Sequence, residues 1–270
     1  MTRNSALFRP AALLGAALFA LFATPAAAQD DDGDRGWIVT LGGGAQVIPK
    51  YPGADEVGFA PMVIGGLRRE GAPLPIDAPD ESWGFGFLGQ ASRFDFGPAV
   101  RFHSKREDED VGAPVGEVGF TLEAGAFAQA YITPNVRVRL EGRRGIGGHE
   151  GWNGDILLDF VATDGNNYVF TIGPRARIAD GNYHDAYFGV TPTVSLATGL
   201  PVYDPGGGLH SVGVAAGLTH MLGRNWGVYG YAGYDRLIGD AADSPIVRTY
   251  GSRSQLSAGL GLFFTFGIGG

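Results

Sequence analysis

Leu256-Ser257-Ala258-Gly259-Leu260-Gly261-Leu262-Phe263-Phe264-Thr265-Phe266 alternates without a break. Leu256, Ala258, Leu260, Leu262, Phe264 and Phe266 are apolar, while the residues between them are mostly small or polar. Side chains of a strand point to opposite faces with period two. One face of this segment therefore meets an oily medium and the other a wet or crowded one. Its length also fits a tilted strand that crosses a bilayer, roughly 9–11 residues. The pattern predicts a closing strand of an antiparallel barrel.

The same pattern recurs upstream. Val118 to Ile132 places Phe120, Leu122, Ala124, Ala126 and Ala128 on one face, with Thr121, Glu123, Phe127, Gln129 and Tyr131 on the other. Thr133-Pro134-Asn135 is a tight turn. The returning strand puts Val136, Val138 and Leu140 outward and Arg137, Arg139, Glu141 and Arg143 inward. Next, Ile156, Leu158 and Phe160 oppose Asp155 and Asp159. Beyond the Asp164-Gly165-Asn166-Asn167 hairpin turn, Tyr168, Phe170 and Ile172 oppose Thr171, Arg175 and Arg177. Further strands are expected over Trp37–Ile48, Val57–Leu67, Ser82–Leu88, Phe94–His103, Leu209–Met221 and Trp226–Leu237. Glu70 to Glu81, with three prolines and four acidic residues, reads as a loop. Lys105 to Asp110 reads as a solvated charge run. Asp180 to Gly208 is ambiguous. Phe188 to Leu196 alternates like a strand, yet Thr191-Pro192 and Gly199 resemble a helix start and stop.

Alternation alone is shared by soluble β-sandwiches and membrane barrels. Two features favour the barrel. Charges of both signs gather on one face of consecutive strands: Glu123, then Arg137, Arg139, Glu141 and Arg143, then Asp155 and Asp159, then Arg175 and Arg177. Trp37, Tyr131, Trp152, Trp226 and Phe266 also fall near strand ends, where interfacial belts form. The expectation is an all-β, transmembrane up-and-down antiparallel β-barrel of about twelve strands, with ten as the alternative. Short turns of such barrels share the periplasmic side. The turns near Thr133, Asp164 and Gly223 meet that rule only if Asp180–Gly208 holds no single crossing and an odd number of strands precedes Val118, whereas four are expected; the twelve-strand reading therefore has Asp185–Ala197 crossing or half crossing. The charged cluster is then a girdle that fills the lumen or, alternatively, a selectivity constriction in a pore.

Composition agrees. There are 46 glycines in 270 residues and no cysteine. Average usage is about 7 % glycine, and the excess suits a crowded lumen with tight bends. The net charge of −8 and the lack of a basic stripe argue against a nucleic-acid partner. Arg3 and Arg9, the apolar run Ala11–Ala23 and Ala26-Ala27-Ala28 read as a cleaved signal peptide over 1–28. An acidic lead-in over 29–36 and the barrel over 37–270 follow, which implies export to the cell outer membrane and contact with its lipid and lipopolysaccharide.

No catalytic, cofactor or metal site is expected. His210-Ser211 is adjacent on a strand, so the two should face apart and form no dyad. His184-Asp185 reads as a loop pair. Asp240 and Asp243 either cap a turn, or bind a divalent cation between loops or bridge lipopolysaccharide.

Several segments resemble the MipA/OmpV family of outer-membrane proteins. They are Tyr51-Pro52-Gly53-Ala54-Asp55, Phe96-Gly97-Pro98, Gly147-Gly148-His149 and Ala186-Tyr187-Phe188-Gly189-Val190-Thr191 with Gly199-Leu200-Pro201-Val202-Tyr203. Gly239-Asp240-Ala241-Ala242-Asp243-Ser244-Pro245-Ile246-Val247 followed by Gly251-Ser252-Arg253-Ser254-Gln255 completes the set. The resemblance spans essentially the whole exported chain and implies a non-enzymatic barrel without cofactors. Among family members it implies a scaffold for a murein lytic transglycosylase and a murein synthase, with channel and surface-adhesin roles as alternatives. Gly267-Ile268-Gly269-Gly270 after Phe266 departs from the family, which usually ends on the aromatic.

Overall fold

The computed structural model describes residues 36–89 and 92–269. The signal-peptide reading of 1–28 lies outside them, as does nearly all of the lead-in. Among the described residues the strands are β1 (Trp37–Pro49), β2 (Val57–Arg69), β3 (Trp83–Gly84), β4 (Phe94–His103), β5 (Thr121–Thr133) and β6 (Val136–Ile146). They continue as β7 (Trp152–Thr163), β8 (Tyr168–Ala179), β9 (Gly208–Met221), β10 (Trp226–Leu237) and β11 (Ser254–Ile268). All pair antiparallel in one sheet of order β2-β1-β11-β10-β9-β8-β7-β6-β5-β4-β3. This is the transmembrane β-barrel architecture that the alternation predicts. The closing strand sits inside the sheet, between β1 and β10, and extends past Phe266 so that Ile268 faces Trp37.

Ten of the eleven strands are ten residues or longer, and β3 has two. The smaller of the two expected strand numbers is thus the number of long strands. Two local differences account for it. The run expected over Ser82–Leu88 keeps only Trp83–Gly84 in the ladder, which leaves three long strands before β5 and restores the odd number that the turns require. The expected crossing or half crossing over Asp185–Ala197 is not made. The stretch after Asp180 folds as α2 (Gly181–Phe188) and α3 (Pro192–Thr198), capped by the Asp180 carboxylate on the Tyr183 N–H and the Thr191 hydroxyl on the Val194 N–H. Pro192 at the first turn and Gly199 in a left-handed C-cap complete the helix reading.

Polarity is inverted relative to a soluble sandwich. Arg137 and Asp159 are 0 % exposed, whereas Leu140 and Phe160, on the opposite faces of the same strands, are 50 % and 52 % exposed. The charged face is the enclosed one and the apolar face the outer one, as a lipid solvent demands. Glycine makes that interior possible. A Cβ on Gly227 would run into the Phe263 ring, and one on Gly145 into the His149 imidazole.

The sheet has two edges, β2 and β3, which are not hydrogen-bonded to each other. β2 carries Pro61, which a strand edge tolerates because proline offers no N–H to a ladder. β3 stays short because the chain before it turns inward, where Arg137 donates to the Ile76 carbonyl.

Candidate functional site

Register builds the lumen from opposite charges. Arg137 lies directly across from Asp159, Asp155 across from Arg177, and Arg101 across from Glu123. From these positions the side chains link into a closed circuit of alternating sign. Arg143 pairs with Glu141, whose carboxylate also accepts from Arg139 at 2.7 Å. Arg139 reaches Glu81 at 3.3 Å, and Glu81 pairs with Arg137. Arg137 and Arg175 share Asp159, each at 2.8 Å. Arg175 and Arg177 share Asp80, each at 2.9 Å. Asp155 accepts from Arg177 at 3.2 Å and from Arg143 at 2.7 Å, which closes the ring. Glu123 hangs from Arg143 at 2.8 Å. All nine charged lumen residues expected from sequence therefore belong to one network.

Two members of the ring come from no strand. Asp80 and Glu81 belong to the proline-rich connection between β2 and β3, which in sequence reads as a loop. It enters the lumen from the side of the short turns. The Leu74 N–H donates to the Gly165 carbonyl at 2.7 Å, and Arg137 donates to the Ile76 carbonyl at 2.8 Å. Arg101 donates to the Asp80 carbonyl, and the Ser82 N–H and hydroxyl both donate to Glu141. Pro73, Pro75 and Pro79 bring no N–H groups that would need partners there. The signal that could have found this plug is charge balance. The expected cluster holds five arginines against four carboxylates, and Arg101 joins it from β4. Asp80 and Glu81 restore parity. Asp235, bonded to Arg177 at 3.3 Å, adds a further carboxylate. Arg139 also lies over the Phe127 ring at 3.7 Å.

The opposite end is covered by the long connections. α2 buries Tyr183, Tyr187 and Phe188 against Val118, Leu237, Ala241, Ala242 and Val247. A second cluster joins Tyr51 and Ala54 to Val111, Val115, Val190, Leu200 and Ile246. The family-type loop residues build this cap. They include α4 (Gly239–Asp243) and α5 (Pro245–Tyr250). The Ser244 hydroxyl donates to the Phe188 carbonyl at 2.7 Å, and the Ser252 N–H to the Gly53 carbonyl at 2.9 Å. Gly251 pairs with Ala54 in an isolated bridge, and the Gly189 N–H donates to the Asp185 carbonyl. Pro245 opens α5. Asp240 accepts from the Gly206 N–H at 2.8 Å. Asp243 pairs with Arg248 at 2.7 Å and Arg253 at 3.3 Å. These two aspartates thus tie loops together.

The Lys105–Asp110 run is not simply solvated. Arg106 is buried and donates to the carbonyls of Tyr187 and Gly116 at 3.0 and 2.9 Å, next to α1 (Asp108–Val111). Burial lowers the pKa of its guanidinium and pushes the Tyr187 phenol up to about 12. His184 is likewise no loop pair with Asp185, because its imidazole is buried against the Gly206 carbonyl.

His210 and Ser211 depart from strict alternation. The β8–β9 register shifts between Arg177 and Ile178, which face Ser211 and Leu209. This bulge leaves His210 unpaired and turns both side chains to the buried side. They still form no dyad, since the Ser211 hydroxyl donates to Asp235 at 3.4 Å.

An antiparallel wall, apolar outside and ion-paired within, defines a β-barrel of the outer-membrane type. The chain belongs to the family described as "MltA-interacting protein MipA", whose sequence profile matches residues 41–266. No curated protein sequence matches it. Among solved structures, the COG4313 outer membrane channel from Pseudomonas putida F1 aligns at 10 % identity and a TM-score of 0.42, over 89 % of this chain and 100 % of that one. The KdgM porin in complex with disordered oligogalacturonate aligns at 11 % identity and a TM-score of 0.36, over 86 % and 99 %.

Proposed function

We propose that this protein is a plugged, non-enzymatic barrel that acts through its rims, as an envelope scaffold for murein-processing enzymes. The observation that carries this is the ring of alternating charge, complete only when the inserted segment supplies Asp80 and Glu81. A lumen filled by paired charges and capped by packed loops leaves the two rims as working surfaces. The family description names a partner, MltA, and that supports a murein lytic transglycosylase at the periplasmic rim, where the short turns lie. A murein synthase is the second proposed partner.

The test is a pull-down with the folded barrel immobilised in detergent and a purified lytic transglycosylase as prey. Retention by the folded barrel and not by the heat-denatured one is expected. Equal recovery on both, or none on either, overturns the scaffold reading. A channel reading has one observation in its favour. The plug is held in the lumen by side-chain and carbonyl contacts rather than by strand pairing, so it can leave without dismantling the wall. Steady conductance of the unmodified barrel in planar bilayers would support that second reading.

A further inference from the structure

Four of the chain's five histidines gather under the cap. His103 ends β4, His149 lies in the β6–β7 connection, His184 is on α2 and His210 is on β9. Their rings form a chain through Tyr183. Centre to centre, His103 is 6.0 Å from His149, and His149 is 5.0 Å from Tyr183. Tyr183 is 5.3 Å from His210, which is 5.5 Å from His184. His149, His184 and His210 are buried, so α2 rests on imidazoles that join it to the wall.

Fixed partners set the protons of two of these rings. The Gly151 N–H can only donate, and it donates to the His149 Nδ1 at 3.0 Å. The His149 proton is therefore on Nε2, 3.1 Å from Glu123. A second proton would set Nδ1–H against the Gly151 N–H. His184 is the opposite tautomer, because its Nδ1 donates to the Gly206 carbonyl. Its buried Nε2 has no hydrogen-bond partner among the described residues, and neither has the His210 Nδ1. A second proton on either ring finds no acceptor.

The charges around the rings leave no free counter-ion. Glu123 pairs with Arg143 at 2.8 Å and also faces His103, the partly exposed member of the chain, at 3.1 Å. His210 faces Glu123, Asp155 and the cationic Arg177 besides His184. Asp155 is already held between Arg143 and Arg177. Near His184, the Asp180 carboxylate caps the Tyr183 N–H, and Asp185 is exposed to water. Burying an unpaired charge is costly, whereas an imidazole in water takes up a proton near pH 6.5.

We propose that this chain of rings is an acid latch, which holds α2 on the wall while the rings are neutral and releases it when they take up protons. The closed cap binds fewer protons than the open one. The latch is therefore fully closed above the ordinary imidazole value of about 6.5 and loosens as pH falls below it. Each ring that charges only in the open state shifts the closing equilibrium about 30-fold between about pH 7.5 and about pH 5. The latch needs no protein partner at the rims.

The test is hydrogen exchange read by mass spectrometry on the full folded barrel in detergent, with rates corrected for the intrinsic effect of pH. Between about pH 7.5 and about pH 5, exchange in α2 should speed up about 30-fold or more, reversibly, while the strands stay protected. His184→Gln and His210→Gln should each shrink that acid response by about 30-fold. The triple variant His149→Gln/His184→Gln/His210→Gln should lose it. His220→Gln, at the far end of β9 opposite Tyr168, should keep it. Constant protection of α2 in folded wild type overturns the proposal. A full response in the triple variant, or its loss in His220→Gln, overturns it too. Should the variants fail to fold, the imidazole carbon signals of the wild type decide. Buried rings that take up protons together with the loss of α2 protection support the latch, and rings that do so while α2 stays protected overturn it.

Discussion

Releasing the inserted segment should open the barrel, and the size of the effect follows from the ring. Asp80→Asn with Glu81→Gln removes both plug charges while keeping their shape. Four arginines lose a carboxylate: Arg137 and Arg139 lose Glu81, and Arg175 and Arg177 lose Asp80. None is left bare. Arg137 and Arg175 keep Asp159, Arg139 keeps Glu141, and Arg177 keeps Asp155 and Asp235. The cost is therefore below the ~3–5 kcal/mol per pair of a fully orphaned buried charge. It is nearer ~1.5–3 kcal/mol for each charged hydrogen-bonded group. Two such groups shift the balance towards the withdrawn segment by about 3–6 kcal/mol, or roughly 10²–10⁴-fold. The assay is single-channel recording in planar bilayers. Wild type should be silent and the double variant should conduct in steps, with both shown folded by heat-modifiability. A folded double variant as silent as wild type would refute the reasoning, and so would a wild type that conducts steadily.

Three other outcomes are expected. Phe188→Ala empties a fully buried site in the cap and should cost about 3–5 kcal/mol locally. The long loops should then be cut faster by protease on intact cells while the strands stay protected. Gly227→Val should clash with the Phe263 ring and reduce the folded fraction on a heat-modifiability gel, and Phe263→Ala in the same chain should restore it. Asp164 accepts from the Asn167 side chain and from the N–H groups of Asn166, Asn167 and Tyr168, which hold its carboxyl well below the usual aspartate range of about 3.9. The turn geometry it supports is present above that value and is lost only as pH falls through the depressed folded value. Amide signals of Asn166–Tyr168 should stay constant from about pH 6 to about pH 3, and a midpoint near 4 would contradict the account.

The wall was legible in the sequence because period-two alternation is a direct imprint of two solvents on one strand. β4 and β10 have the expected ends, and β6, β7 and β8 have the expected inward charges. The plug was not legible. Asp80 and Glu81 sit among prolines, and local sequence cannot say whether such a segment turns out to water or in to arginines. The cap was half legible. The Thr191-Pro192 and Gly199 signals were correct, but Phe188 to Leu196 also alternates, and only the packing of Phe188 against α4 and α5 decides. His210 escaped because a bulge breaks the rule that neighbours on a strand face apart, and nothing in its immediate sequence marks the extra residue.

Lipid bathes the apolar face of the wall, and the charged face is sealed from it. The chain has no cysteine, so single substitutions report cleanly. Leu140→Cys, Leu158→Cys and Leu260→Cys, each labelled with a small fluorophore in vesicles, should be quenched by lipids brominated on their tails, and Gln129→Cys on the inner face should not be. Quenching of Gln129→Cys, or its absence at all three leucine positions in a folded barrel, would contradict the account.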